Sequence, residues 1–268
     1  MARAQLAANI RETKQIVRSD LRDYLKQRKS VGPSTLSAEE RRALDDLKRD
    51  GYVVVEGFWP REKALAMRDR LEPYLEPAES RDFESGAYIR FWDNREYDEG
   101  VRRLYHVDRE VPELATFRHD PFCFNVVRAY YGVPFHSGLL MFQHNTRSNA
   151  NTRYYHVDVF MKEFKAFLYL DDVDPGNGPF TYLRGTHRSH FRRLKREIFW
   201  NGEGASTSFS NDNLGRTLNR EVQVCGPAGT LILADVRGFH RGSPQVERSR
   251  SALVNYMYKE EGDRFLDR

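Results

Sequence analysis

Tyr155-His156-Val157-Asp158 places a histidine and an aspartate two residues apart. On a β-strand, whose side chains alternate between faces, that spacing sends both to the same side. An imidazole nitrogen and a carboxylate oxygen are thereby aimed at one point. One further histidine from a distant part of the chain completes the two-histidine, one-carboxylate set that holds Fe(II) and leaves coordination positions open. His240 is the candidate for that distant ligand. The tetrapeptide occurs twice, however, because Tyr105-His106-Val107-Asp108 repeats it.

The surroundings separate the two copies. After His106 comes REVPELATFRHDPFCFNVVRAYYG, in which Leu114, Phe117, Phe122, Val126, Val127 and Tyr130 recur at helical spacing. A histidine beside a helix start is normally a capping or surface residue. The second copy precedes the β-rich KAFLYLDD (165–172) and the turn residues Asp174-Pro175-Gly176-Asn177-Gly178, and it is the copy read as the metal site. Among the other histidines, His187 sits in a GTHR turn, where hydrogen bonding is the commoner role. His119, His136, His144 and His190 lack an acidic partner on the same strand face, and Asp171 and Asp172 have no histidine two residues away.

Several elements are needed to position these groups. Leu6, Ile10, Val17, Leu21, Tyr24 and Leu25 predict an amphipathic helix over 4–28 that packs on the body of the protein. After a linker at 30–35, Ser37 and Glu40 form a capping box for a helix over Ala38–Arg49, ended by Gly51. YVVVE (52–56) reads as a strand, and Trp59-Pro60 opens a helix that buries Ala64, Met67, Leu71 and Leu75. Residues 77–100 read as polar loop, with a short strand within 86–94 whose Arg90, Trp92 and Asn94 are within reach of a substrate. From Ser137 onward short strands follow at 137–144, 153–160, 165–172, 179–183, 221–225, 230–234 and 251–258, the rhythm of a sandwich or barrel. Residues 186–221 interrupt it with a helix expected over Phe191–Phe199 and the polar NGEGASTSFSNDN (201–213), read together as a lid.

The 268 residues suit one domain: an N-terminal helical extension (1–50), a helical lead-in (51–136) and a β core (137–258) carrying the lid. With 17 Phe, 14 Tyr and 3 Trp the chain can build its core without a staple, so a metal here serves chemistry rather than folding. A net charge of +4 is too small to argue for nucleic acid, and the basic run RSHFRRLKR (188–196) reads as a solvated face. Two cysteines, Cys123 and Cys225, suit a reducing compartment and give no thiolate metal pattern. The N-terminus lacks the apolar run of a signal peptide and no stretch is long enough to span a membrane, so a cytoplasmic protein is expected.

From His156 to Tyr258, the order HVD, YLDDVDPGNGPFTYLRGTHR (169–188), GPAGTLILADVRGFHRG (226–242) and RSRSALVNYMY (248–258) resembles the phytanoyl-CoA hydroxylase-like branch of the Fe(II)/2-oxoglutarate dioxygenases. GYVVVEGFWPREKALAMRDRL resembles the helical lead-in of that family more loosely. The resemblance implies a mainly β fold with flanking helices, a double-stranded β-helix of the jelly-roll, cupin-like kind. It implies His156, Asp158 and His240 as iron ligands, with 2-oxoglutarate and O2 as co-reactants. It also implies an arginine for the far carboxylate of 2-oxoglutarate, to which two parallel guanidinium N–H groups are suited. The family position falls on Arg250, ten residues after His240, with Arg248 as the neighbour that strand alternation would put on the same face. Gln143 matches a polar position from which relatives touch the cosubstrate. Where relatives often have HGS after the distal histidine, this chain has His240-Arg241-Gly242-Ser243, shifted by one, and Phe167 reads as core.

The implied activity is hydroxylation of an aliphatic C–H of a small polar or anionic metabolite, with release of succinate and CO2. The retained Asp158 carboxylate favours hydroxylation over halogenation, whereas desaturation, epimerisation or cyclisation can use the same iron site. A non-catalytic jelly-roll binding protein is disfavoured because sheet stability does not ask for four polar groups converging in a core. A metal hydrolase is disfavoured because no general base is evident. No nucleic-acid or membrane partner is expected, and oligomeric state stays open.

Overall fold

The computed structural model describes Lys14, Arg18 and residues 36–76, 79–90, 100–146, 154–158, 163–189, 208–209 and 211–259. The helix expected over 4–28 therefore lies outside the described residues except for the helical, exposed Lys14 and Arg18. Trp92, Asn94 and the segment Phe191–Phe199 lie outside them too.

Ser37 caps the helix Ala38–Asp50. Its Oγ accepts from Glu40 N at 3.1 Å while Glu40 Oε2 accepts from Ser37 N at 2.7 Å, so two otherwise unpaired N–H groups are satisfied reciprocally. Gly51 closes the helix at φ 91°, a backbone position that glycine alone adopts without strain. β1 (Tyr52–Val55) follows. Pro60 is the N-cap rather than the first residue of the helix Arg61–Leu71, and Ala64, Met67, Leu71 and Leu75 are all buried as their spacing predicts.

The stretch 77–100, read as loop with a short strand within 86–94, contains β2 (Arg81–Asp82) and β3 (Tyr88–Ile89), and β4 (Val101–Tyr105) follows it. β4 escapes a hydrophobicity reading because Arg102 and Arg103 sit at its centre. Short helices Val107–Glu110 and Ala115–Arg118 lead to the helix Pro121–Tyr131, capped by Asp120 and ended by Gly132 at φ 67°. The β-rich half comprises β5 (Phe135–Asn145), β6 (Tyr155–His156), β7 (Glu163–Tyr169), β8 (Phe180–Leu183), β9 (Ser208–Phe209), β10 (Glu221–Val224), β11 (Leu231–Asp235), β12 (His240–Gly242) and β13 (Arg250–Lys259).

Two antiparallel sheets face each other, in the orders β1-β11-β7-β13-β5-β4-β3-β2 and β10-β8-β12-β6-β9. This is the double-stranded β-helix. The lead-in is thus more than helical, because β1 pairs with β11 at one edge of the larger sheet and β4 pairs with β5 towards the other.

Alternation along the larger sheet decides which side chains reach the site. On β7, Phe164, Ala166 and Leu168 join Leu47, Leu71, Val126 and Leu253 in the core beneath the helices. Lys165, Phe167 and Tyr169 point the other way, into the cavity between the sheets. Each fully buried aliphatic or aromatic side chain on the helix side contributes about 1.5–3 kcal/mol, which fixes the register of the strands that carry the polar groups. Among the described residues, no helix is long and apolar enough to cross a membrane.

Candidate metal centre

His156 on β6 stands directly opposite His240 on β12, with ring centroids 4.5 Å apart. Asp158 lies beyond the end of β6, so strand alternation does not place it. A backbone bond from Asp158 N to Val236 O at 3.2 Å does. The ligand atoms of His156, Asp158 and His240 all lie within 4.8 Å of one another. His156 Nε2 is 3.7 Å from Asp158 Oδ1, and His240 Nε2 is 3.2 Å from Asp158 Oδ2.

The outer hydrogen bonds orient both rings. His156 Nδ1 lies 2.8 Å from Tyr154 O and His240 Nδ1 lies 2.9 Å from Gly238 O. A carbonyl can only accept, so both Nδ1 atoms carry the proton, and in the neutral rings both Nε2 atoms present lone pairs. Burial, with His240 beside it, pushes His156 down to about 4, which keeps that ring neutral near pH 7. Burial alone would raise the Asp158 carboxyl, yet the Lys165 ammonium beside it holds it well below the usual carboxylate range. Two lone pairs and a carboxylate converging on one point, with the N–H of each ring turned away, form a donor set suited to a divalent cation.

The turn that delivers His240 is held from below. Buried Asp235 accepts from Arg237 N at 3.1 Å, from the Arg237 guanidinium at 3.1 and 2.9 Å, and from Tyr131 Oη at 3.0 Å. Burial opposes its charge, but Arg237 brings its pKa to about 2. Tyr182 Oη donates to Asp235 O at 2.8 Å and packs against Gly238.

A cavity of about 250 Å³ opens beside the triad. Arg250 lies along its wall, 7% exposed, with Nη1 donating to Gly178 O and the guanidinium 5.9 Å from the Tyr169 ring. Among the described residues no carboxylate comes within ion-pair distance of it, and burial lowers its pKa. A buried guanidinium without a counter-ion is costly, and a ligand carboxylate relieves that cost. Arg248 is different: it precedes β13, pairs with Asp174 and has a side chain 58% exposed. The alternation that tied the two arginines in the sequence therefore does not apply.

Gln143 lines the same cavity, its Nε2 donating to Asn145 Oδ1 at 2.8 Å and its Oε1 accepting from Arg103 Nε at 3.4 Å. Phe167 is wall as well as core, packed 4.8 Å from Phe180. Ser243 lies buried 2.7 Å from Thr181 Oγ1, and the cavity lining passes it by at Gly242. Sequence reasoning missed Arg103, Asn145, Lys165 and Tyr256, all of which line the cavity. A lysine within the apolar KAFLYL was the available signal for one of them.

The first YHVD copy is elsewhere in role. His106 caps the helix Val107–Glu110 with φ 53°, and Asp108 pairs with Arg118 at 2.7 Å. Among the described residues the triad is the one group of three potential ligands within metal-binding distance. His187 is buried in the turn Thr186–Ser189 under Gly51.

Residues 47–252 match the family model of phytanoyl-CoA dioxygenase (PhyH). No curated protein sequence matches the chain significantly. Among solved structures the chain is similar to EctD from S. alaskensis with bound Fe, at 16% identity and TM-score 0.60 over 86% of this chain and 79% of that one. It is also similar to the epimerase SnoN in complex with Fe3+, alpha ketoglutarate and nogalamycin RO, at 15% identity and TM-score 0.59 over 86% and 90%. HygX from Streptomyces hygroscopicus with nickel and 2-oxoglutarate gives 17% identity and TM-score 0.56 over 85% and 89%. At these identities the likeness is one of fold.

Proposed function

The chain belongs to the phytanoyl-CoA dioxygenase family, the Fe(II)- and 2-oxoglutarate-dependent non-haem oxygenases, and from that membership we propose that it hydroxylates an aliphatic C–H of a small polar or anionic metabolite, releasing succinate and CO2. In this reading His156, Asp158 and His240 hold the iron, Arg250 takes the far carboxylate of 2-oxoglutarate, and Gln143 borders the cosubstrate. The single observation that carries it is the convergence of His156 Nε2, His240 Nε2 and the Asp158 carboxylate at the head of a cavity that also contains the buried Arg250.

When bound, iron with 2-oxoglutarate and O2 supplies the oxidising power that breaks an unactivated C–H bond. The chain's own residues do the rest. Tyr154 O and Gly238 O hold the two imidazoles in the tautomer that can ligate. Phe167, Phe180, Ala252 and Val254 give the cosubstrate a dry wall, which strengthens the ionic contact at Arg250. Among the described residues, the cationic Arg103, Lys165 and Arg241, against the single carboxylate of Asp158, line the rest of the cavity and favour a polar or anionic substrate. The retained carboxylate at 158 favours oxygen insertion over halide transfer. We place the enzyme in the cytoplasm, consistent with its two free cysteines.

The test is aerobic turnover with Fe(II) and 2-oxoglutarate against a panel of carboxylated, phosphorylated and neutral metabolites. Substrate-stimulated succinate and a product one oxygen atom heavier are expected. A product short of two hydrogens would move the assignment to desaturation or cyclisation, one of unchanged mass to epimerisation, and absence of succinate throughout would overturn it.

A further inference from the structure

Lys165 is the one lysine in the cavity lining among the described residues, and it sits in the middle of β7 among Phe164, Ala166 and Phe167. It is 7% exposed. Its Nζ lies 2.8 Å from Asp158 Oδ2, 3.9 Å from Glu163 Oε1 and 4.1 Å from the centroid of the Tyr256 ring. A charged side chain in a core strand weakens packing that an aliphatic residue would supply. Something must therefore use the ammonium. Glu163 is the weaker partner, since burial keeps its carboxyl protonated up to about 8, which leaves Asp158 as the main counter-charge.

We propose that Lys165 is a positioning residue that holds one oxygen of the Asp158 carboxylate, so that this aspartate offers only its other oxygen to iron. The inference rests on the iron and 2-oxoglutarate reading above and adds a constraint to it. A facial triad works because three ligand atoms leave three positions open. Bound 2-oxoglutarate would take two of them, leaving one. If Asp158 bound through both oxygens, that last position would be lost or the cosubstrate would have to compete for it. The two oxygens already have different surroundings: Oδ1 faces His156 Nε2, whereas Oδ2 is shared between Lys165 Nζ and His240 Nε2. A cation held in place by the packing of β7 can maintain that difference, and the Tyr256 ring lies 4.1 Å from the ammonium.

The experiment compares wild type, Lys165→Met and Lys165→Arg under anaerobic conditions, with Co(II) as the metal probe. Circular dichroism and thermal melting establish that each variant is folded. Co(II) binding is followed by its visible spectrum and calorimetry, and 2-oxoglutarate is then titrated into the Co(II)-loaded protein. All three proteins should bind Co(II). The methionine variant should lose about tenfold or more in 2-oxoglutarate affinity, on the order of the worth of one close charge pair, with a smaller spectral response to it. The arginine variant, which keeps a charged donor, should recover most of that loss. Wild-type-like 2-oxoglutarate binding by Lys165→Met would overturn the proposal, as would equal loss of Co(II) and of thermal stability in both variants, which would make Lys165 a structural residue only. Failure of the wild-type protein to bind Co(II) and 2-oxoglutarate would instead overturn the parent reading.

Discussion

His156 and His240 mirror each other across β6 and β12, each donating its Nδ1–H to the carbonyl two residues before it, at 2.8 Å and 2.9 Å. The shared arrangement turns both Nε2 atoms towards Asp158. It follows that either ring can be removed without unfolding a sheet, but not without losing the cation. His156→Ala and Asp158→Ala should each weaken Fe(II) binding by more than about a hundredfold, beyond the range of outer-shell changes. His106→Ala and Asp108→Ala should leave it unchanged. Metal content after anaerobic loading and desalting measures this, and the opposite pattern would move the site to the first YHVD copy.

Arg250 and Arg248 separate cosubstrate binding from surface charge. Losing two hydrogen bonds to a carboxylate, each contributing about 1.5–3 kcal/mol, should cost Arg250→Met about a hundredfold or more in 2-oxoglutarate affinity. Arg248→Ala should bind it normally, because that side chain is engaged with Asp174 at the surface. Calorimetry on the metal-loaded protein decides between them.

Gly238 is required by shape. A Cβ there would lie 1.7 Å from Tyr182 Oη and 2.3 Å from Cζ. Gly238→Ala should therefore lose about 1–3 kcal/mol of stability through overpacking and weaken metal binding by displacing His240. Adding Tyr182→Phe removes the clashing oxygen and should restore part of the loss. Denaturant melts and metal titrations of the single and double variants test this, and an unperturbed single variant would contradict it.

Glu163 makes stability depend on pH in an unusual direction. Its folded pKa is raised from 4.5 to about 8, chiefly by burial, so between those values the folded state binds more protons than the unfolded state. Its contribution is then fully present below about pH 4.5 and is lost as pH rises towards 8. Glu163→Gln cannot ionise. Its stability relative to wild type should grow with pH across that window by at most about 1.4 kcal/mol per unit. Equilibrium unfolding at pH 5, 6.5 and 8 measures it, and a gain that shrinks with rising pH would refute the assignment.

What could be read in advance was whatever depended on local pattern. The Ser37–Glu40 box, the buried stripe Ala64, Met67, Leu71 and Leu75, and the β-rich half all follow from spacing and turn chemistry. The two YHVD copies were separated by the helices that follow Asp108 and the strands that follow Asp158. Other features depended on tertiary placement. Asp158 is set by Val236 O rather than by its own strand. β4 is recruited by pairing with β5 although arginines occupy its centre. Lys165 looks like a misplaced charge in KAFLYL until the fold brings Asp158 within 2.8 Å of it. Strand alternation alone did not separate Arg248 from Arg250, and β13 begins only at Arg250.

The central claim is that one iron-binding triad and Arg250 together hold 2-oxoglutarate. Anaerobic visible spectroscopy tests it most directly, because chelation of Fe(II) by the keto and carboxylate oxygens of 2-oxoglutarate produces a metal-to-ligand charge-transfer band. The account predicts that the band appears when 2-oxoglutarate is added to the Fe(II)-loaded protein. It should vanish in Asp158→Ala and require far more 2-oxoglutarate in Arg250→Met. A folded wild-type protein that shows no band, or variants that show it undiminished at the same concentrations, would contradict the account.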